Sequence, residues 1–177
     1  MDERLPWHDE PWRRLSQCRA AGRLPHALLL AGPGGLGKRV LARRLSEALL
    51  CADATPDGDT CGRCRGCRLF RAGSHPDFCA VRPAEEGKAI RVDQIRELRD
   101  FLGLTAQYGG YKIALLEPAD RLNLNAANSL LKTLEEPPGD SLLLLVADQP
   151  ARLPATVRSR CQVIRFTLPP AEGVLSW

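Results

Sequence analysis

Residues 31–39 read AGPGGLGKR, a glycine-rich segment that indicates the fold class of the chain. The apolar run Ala27–Ala31 leads straight into it, which is typical of a short buried strand. From Lys38 to Leu50, apolar residues return at helical spacing, so a helix is expected after the glycines. A strand, a glycine-rich turn and a helix in this order form the framework of a phosphate-binding loop.

The loop fits the phosphate-binding pattern at every position except the last. In such a loop, backbone N–H groups turn inward around a phosphate, and the following helix adds the positive end of its dipole. The residues predicted to bind a nucleotide are Gly32, Gly34, Gly35, Gly37 and Lys38. The next position normally supplies a hydroxyl to Mg²⁺, but Arg39 offers only donors and a fixed positive charge. The sequence therefore predicts a degenerate phosphate loop and leaves ATP binding open.

The acidic residues that phosphate-loop ATPases place after a later strand are also altered. The candidate strand is Lys112–Leu116, and Glu117-Pro118 follows it. Glu117 has a longer arm than the usual metal-side aspartate, and Pro118 stands where a water-activating glutamate belongs. Proline cannot take a proton, and Asp120 lies too far along to replace the missing acid. These substitutions predict that the chain does not hydrolyse ATP.

Apolar runs alternate with helical patterns along the whole chain, which favours an α/β domain with a mostly parallel sheet. Further strands are expected at residues 77–81, 142–147 and 163–166. Helices are expected at 93–102, with Asp93 as the cap, and at 123–136. The pattern after Pro169 predicts the start of another helix, cut off at residue 177, as in a fragment of a longer protein.

Composition limits the class of protein. The chain has 177 residues, of which 44% are hydrophobic and 26% charged, as in a globular domain with its own core. The apolar runs are too short to cross a bilayer, and the first residues do not resemble a signal peptide, so we expect a cytoplasmic protein. The net charge of +4 permits a nucleic-acid partner without indicating one.

The seven cysteines indicate a metal site or buried thiols rather than a disulfide framework, given the expected compartment. Two residues separate Cys61 from Cys64 and Cys64 from Cys67, and Cys51 lies upstream. Four thiolates on a short glycine-rich turn suit tetrahedral zinc and leave no position for water, so we predict structural zinc. Free or disulfide-linked thiols are one alternative. An iron–sulfur cluster is another, although a further cysteine is expected where Arg71 stands.

Several longer stretches resemble bacterial clamp-loader subunits of the AAA+ family. They are RLPHA at 23–27, HPDF at 75–78, NSLLKTLEEPPGDSLLLLVAD at 128–148 and LPATVRSRCQVIRF at 153–166, together with the four-cysteine insertion. The resemblance implies an AAA+ RecA-like domain at 1–167 with a zinc-binding insertion at 51–67. It also implies the start of a truncated helical lid domain at 168–177.

Two kinds of clamp-loader subunit share these motifs. The ATP-hydrolysing gamma or tau kind has an intact phosphate loop and an Asp-Glu pair after the third strand. Because Arg39 and Glu117-Pro118 stand at those positions, the chain resembles the non-hydrolysing kind, which is not catalytic on its own. Active family members use a small hydroxyl residue to sense the γ-phosphate. The corresponding segment of this chain, around Asp148, departs from that pattern.

The resemblance further implies partners and one functional residue. The partners are the gamma/tau ATPase subunits and the delta subunit of a clamp loader, which places a sliding clamp on primed DNA for a DNA polymerase holoenzyme. In that family the arginine of the Ser-Arg-Cys element, here Arg160, reaches in trans into the neighbouring ATPase site. The alternatives are an ATP-hydrolysing gamma/tau-type subunit and a zinc-ribbon DNA-binding protein.

Overall fold

A sheet of five parallel strands forms the centre of the chain, in the order β2-β3-β4-β1-β5. The structure is a computed structural model, and it describes residues 5–108 and 110–168. The strands are β1 (Ala27–Ala31), β2 (Phe78–Val81), β3 (Lys112–Leu116), β4 (Ser141–Ala147) and β5 (Gln162–Arg165). The predicted parallel α/β sheet is therefore confirmed, and each predicted strand is present to within one residue at its ends.

Helices cover both faces of the sheet. They are α1 (Asp9–Ala20), α2 (Lys38–Leu49), α3 (Arg65–Arg71), α4 (Val92–Leu102), α5 (Leu124–Glu135) and α6 (Ala155–Arg158). In β1, Leu28 and Leu30 pack into the core with α1 and α2, whereas Leu29 packs on the opposite face with α4 and α5. Burial on both faces explains why β1, β3 and β4 read as continuous apolar runs rather than as alternating ones. Among the described residues, no helix is long and apolar enough to cross a membrane.

Helix α4 begins one residue earlier than the sequence indicated. Its capping position is Arg91, whose backbone N–H donates to Gln94 Oε1 at 3.0 Å. Asp93 lies inside the first turn and forms an ion pair with Arg96 at 3.2 Å, so its prediction as the cap is wrong. Ile95, Leu98 and Leu102 form the inward face of this helix and are buried.

Two helices had no clear signal in the sequence. Helix α1 buries only Trp12 and Leu15, which is too sparse an apolar pattern to indicate a helix. Helix α3 begins inside the cysteine insertion, where Cys64 is the N-cap and its Sγ accepts from the Cys67 N–H. The lid domain expected at 168–177 lies outside the described residues beyond Leu168.

Helix α5 has a side-chain N-cap. The Oδ1 of Asn123 accepts from the Ala126 N–H at 2.8 Å, which satisfies one of the free donors of the first turn. This cap fixes the helix directly after the segment that connects it to β3.

Replacement of Asn123 by alanine should lower the free energy of unfolding by about 1 kcal/mol, because the first turn loses its acceptor. Asn125→Ala is the matched control, since Asn125 is exposed inside the same helix, and it should change stability by less than about 0.5 kcal/mol. Urea unfolding of the two variants measures the difference. Equal effects of the two substitutions would contradict the assigned cap.

Candidate functional site

The glycine loop lies at the carboxyl end of β1, where the chain crosses between the sheet and α2. The Gly32 N–H donates to the Ala147 carbonyl at 3.2 Å, which ties the loop to the end of β4. A Cβ on Gly32 would lie 2.2 Å from the Phe166 carbonyl oxygen, and one on Gly37 would lie 2.3 Å from Leu5 Cδ1. Glycine is therefore required at both ends of the loop by close neighbours as well as by backbone conformation.

Lys38, the predicted phosphate-binding lysine, is buried and already has two partners. Its Nζ donates to the Pro33 carbonyl at 2.5 Å and lies 2.7 Å from Asp148 Oδ1. Asp148 follows β4, so the parallel sheet brings it to the same edge as the loop. The predicted loop residues are thus assembled, and the charge that faces the lysine is a carboxylate of the chain itself.

Two arginine side chains, Arg39 and Arg82, contact Glu117 beside the glycine loop. Arg39 Nε lies 3.2 Å from Glu117 Oε1, and Arg82 Nε donates to the same oxygen at 2.7 Å. The Glu117 side chain is buried, and its Oε2 has no hydrogen-bond partner in the described part of the chain. The carboxylate that the sequence marked as a possible metal-side acid therefore faces two guanidinium groups.

Asp120 lies behind this site rather than in it. Its Oδ1 accepts from the Asp148 N–H at 3.2 Å, so it holds the backbone at the end of β4. This agrees with the expectation that Asp120 points elsewhere. Pro118 therefore stands at the position expected for the water-activating acid, as the sequence indicated.

A cavity of about 560 Å³ adjoins the loop. Its walls include the glycine loop, the segment after β2 that contains Arg82 and Lys88, and the segment after β3 that contains Glu117 and Arg121. The volume lies in the range of small-molecule sites. Sequence reasoning missed Arg82, although its position directly after a short strand was a usable signal.

The chain ahead of α1 closes the outer side of the loop. The Leu36 carbonyl accepts from Trp7 Nε1–H at 3.0 Å and lies 2.9 Å from His8 Nε2. Burial lowers the pKa of His8, so its ring is neutral at physiological pH and donates through Nε2–H. This support for the loop was not apparent from the sequence.

The four predicted cysteine ligands lie together at the junction of α2, the insertion and α3. The Sγ atoms of Cys51, Cys61, Cys64 and Cys67 all lie within 4.8 Å of one another. A tetrahedron with zinc–sulfur bonds of about 2.3 Å has edges of roughly 3.8 Å. The Sγ of Cys51 lies 3.5 Å from that of Cys61 and 3.9 Å from that of Cys64, so the cluster has the size that a metal ion needs.

The four thiols of the cluster differ in the direction of their pKa shifts. A backbone N–H bond from Arg63 lowers the pKa of Cys61. Burial raises the pKa of Cys64, but N–H and thiol hydrogen bonds outweigh it and lower the value to about 6. Burial raises the pKa of Cys51 and of Cys67. Four thiolates at this separation need a positive ion between them, and soft sulfur ligands suit zinc-like metals.

The insertion that carries the cluster is anchored to α1 and α2. Arg19 Nη1 of α1 donates to the Gly58 carbonyl at 3.3 Å. Arg44 Nη2 lies 2.5 Å from Asp59 Oδ1, and the same guanidinium stacks 3.8 Å from the centre of the Trp12 ring. Arg71 Nε lies 2.7 Å from Glu47 Oε1. These contacts connect the insertion and α3, which together hold the four cysteines and are called the cysteine module below, to α2, the helix that begins at the glycine loop.

Arg160 lies at the amino-terminal end of the parallel strands, whereas the glycine loop lies at their carboxyl-terminal end. It precedes β5, whereas the loop follows β1, and the two strands are parallel neighbours. Its Nη1 donates to the Thr156 carbonyl at 2.8 Å, and its Nη2 donates to Glu135 Oε1 at 2.5 Å. The side chain is 35% exposed. Because a strand of five residues spans roughly 16 Å, Arg160 cannot reach the loop of its own chain.

The strand order, the parallel sheet and the glycine loop define an AAA+ phosphate-loop domain, and solved structures agree. A DNA polymerase III gamma subunit-related protein from Thermotoga maritima aligns with 89% of this chain and 46% of its own, at a TM-score of 0.62 and 21% identity. The RuvB Holliday junction branch migration motor of Thermotoga maritima aligns with 95% of this chain and 48% of its own, at a TM-score of 0.58 and 15% identity. At these identities the likeness concerns the fold alone.

Sequence comparison identifies the family within this class. The family model described as "DNA polymerase III, delta subunit" matches residues 7–170. DNA polymerase III subunit delta' of Pseudomonas aeruginosa is 48% identical over 100% of this chain and 53% of its own length. The Escherichia coli subunit delta' is 40% identical over 97% of this chain and 51% of its own. The chain belongs to the DNA polymerase III delta-prime family, and it spans about half the length of these relatives.

The cysteine cluster predicts a measurable metal content. Protein purified without added metal should hold about one zinc-sized ion per chain, and Cys64→Ser should weaken metal binding by roughly tenfold or more. Metal analysis after dialysis against a competing chelator measures both. Cys79→Ser is the control, because Cys79 lies outside the cluster and should leave the metal content unchanged. Folded parent protein with far less than one ion per chain would contradict the site.

Proposed function

We propose that this chain is the AAA+ portion of a non-hydrolysing clamp-loader subunit that completes the ATP site of a neighbouring subunit. The partners are gamma/tau-type ATPase subunits and a delta subunit, and the assembly places a sliding clamp on primed DNA in the cytoplasm. Membership of the delta-prime family supports the class of assembly. The observation that carries the proposal is the separation of Arg160 from the glycine loop of its own chain.

The groups around the loop support the proposed absence of ATP hydrolysis. Arg39 cannot ligate a metal ion, and Glu117, the remaining acid, is paired with two guanidinium groups. Pro118 cannot activate a water molecule. Asp148 stands beside the lysine where active relatives are expected to have a small hydroxyl residue. Each of these substitutions removes a different part of the phosphoryl-transfer machinery.

The role of Arg160 follows from its position and its chemistry. A guanidinium near a γ-phosphate stabilises the charge that develops on the phosphoryl oxygens. Arg160 lies at the surface, and its contacts to Thr156 and Glu135 orient the guanidinium without burying it. Since its own loop lies at the far edge of the sheet, the ATP it serves must be bound by another subunit. The arginine is therefore proposed to act in trans.

The four-cysteine cluster is proposed to bind structural zinc. Its four sulfur ligands leave no position for a reacting water, so the metal would stabilise the insertion rather than take part in chemistry. The anchoring of the insertion on α1 and α2 is consistent with this structural role.

The proposal predicts that Arg160→Ala lowers ATP turnover by a clamp loader reconstituted with the full-length protein by about tenfold or more. The turnover to be measured is that stimulated by the clamp and primed DNA, with kcat and KM determined separately. The loss should be in kcat, because the arginine acts on the transition state. Size-exclusion chromatography should show the loader still assembled.

Arg158→Ala is the matched control for this experiment. Arg158 is exposed at the end of α6, two residues from Arg160, and its removal changes the net charge by the same amount. It should leave turnover within about twofold of the parent, since surface charges interact weakly in water. Equal turnover of the parent and Arg160→Ala loaders would overturn the trans role.

A further inference from the structure

The ammonium group of Lys38 already has an anion within contact distance. In a phosphate loop, this lysine and the inward N–H groups face phosphate oxygens. Here Nζ lies 2.7 Å from Asp148 Oδ1, and the Lys38 side chain is 2% exposed. We propose that the Asp148 carboxylate takes the place of a phosphate group at this loop. We further propose that the loop binds a metal-free polyphosphate once that carboxylate is removed.

The carboxylate lies within the loop rather than beside it. Asp148 Oδ2 is 3.4 Å from the position that a Cβ on Gly34 would occupy. The backbone of Asp148 is fixed, because its N–H donates to Asp120 and the preceding Ala147 carbonyl accepts from the Gly32 N–H. The side chain itself is 51% exposed, so it can leave the lysine without disturbing the fold.

An internal anion of this kind acts as a competitor for the ligand. A phosphate can reach Lys38 only in the fraction of molecules in which Asp148 has moved away, so the apparent affinity is reduced by that fraction. Carboxylate and phosphate oxygens are both charged acceptors, and both form strong bonds to an ammonium group. The contact between Asp148 and Lys38 therefore sets the ligand affinity of the loop.

The charges around Glu117 explain why the ligand would need no metal. Arg39 and Arg82 both contact Glu117 Oε1, so two positive groups share one negative one beside the loop. Guanidinium groups stay charged at any physiological pH and bind phosphate oxygens well. They supply the positive charge that Mg²⁺ supplies in hydrolysing relatives. Glu117 Oε2, which has no hydrogen-bond partner within the described residues, would favour a cation, as would Glu85 and Glu86 on the cavity wall. The response to Mg²⁺ is therefore decisive.

The adjoining cavity of about 560 Å³ has room for a ligand larger than one phosphate. The chemical class is a diphosphate or triphosphate, free or as part of a nucleotide. This inference concerns the same loop as the proposed function. Neither Arg160 nor ATP turnover enters its test, so the two proposals can fail separately.

The test is a calorimetric titration of the purified chain with inorganic pyrophosphate in buffer free of divalent cations. No chelator is added, because it would compete for a metal in the cysteine cluster. Asp148→Asn and Asp148→Ala should each bind pyrophosphate about tenfold or more tightly than the parent. The second variant guards against a new hydrogen bond from the asparagine to Lys38.

Asp140→Asn is the matched control, because it removes the same charge from an exposed aspartate that precedes β4 instead of following it. It should leave pyrophosphate affinity unchanged, and Lys38→Ala in the Asp148→Asn background should abolish the gained affinity. Parent-like affinity of both Asp148 variants would overturn the proposal. So would a gain that survives loss of Lys38, or one that appears only when Mg²⁺ is added.

Discussion

The common direction of the parallel strands fixes where the loops and side chains of the site lie. Because β1, β3 and β4 all run the same way, the residues that follow them meet at one edge of the sheet. The glycine loop, Glu117 and Asp148 come together there, although they are far apart in the sequence. Residues that precede strands lie at the opposite edge, and Arg160 is one of them. The same constraint therefore builds the degenerate site and separates it from the one arginine proposed to act in catalysis.

The charged side chains around the degenerate phosphate loop are paired with one another. Lys38 faces Asp148, and Glu117 faces Arg39 and Arg82. A buried lysine without a partner would be costly, so in the absence of a bound phosphate the lysine needs another anion. The Asp148 carboxylate meets this need, and it lets the loop keep its shape without a nucleotide. In a ring of similar subunits, such a domain can support a neighbouring site without a reaction cycle of its own.

The cysteine module adds a second fixed point to the same half of the domain. The insertion has few apolar residues of its own, and the close sulfur ligands with a metal ion would replace a hydrophobic core. Its ion pairs to α2 link it to the helix that starts at the glycine loop. A metal ion in the cluster would thereby be coupled to the position of α2 through side-chain contacts.

The glycine loop, the buried strands and the four-cysteine cluster could all be predicted from the sequence. These features depend on residues close together in the chain, where apolar runs, glycine spacing and cysteine spacing reflect local geometry directly. Sequence motifs, including the Ser-Arg-Cys element that contains Arg160, were also sufficient to indicate the family of the chain. Helix α1 escaped detection because it buries only two of its side chains. Helix α4 begins at Val92 rather than after Asp93, because the Arg91 N–H at the N-cap donates to the Gln94 side chain. Three relations became visible only in the folded chain. Asp148 faces Lys38, Arg82 joins Arg39 at Glu117, and Arg160 lies at the other end of the strands from the loop. They depend on strand order and direction, which no local sequence pattern encodes.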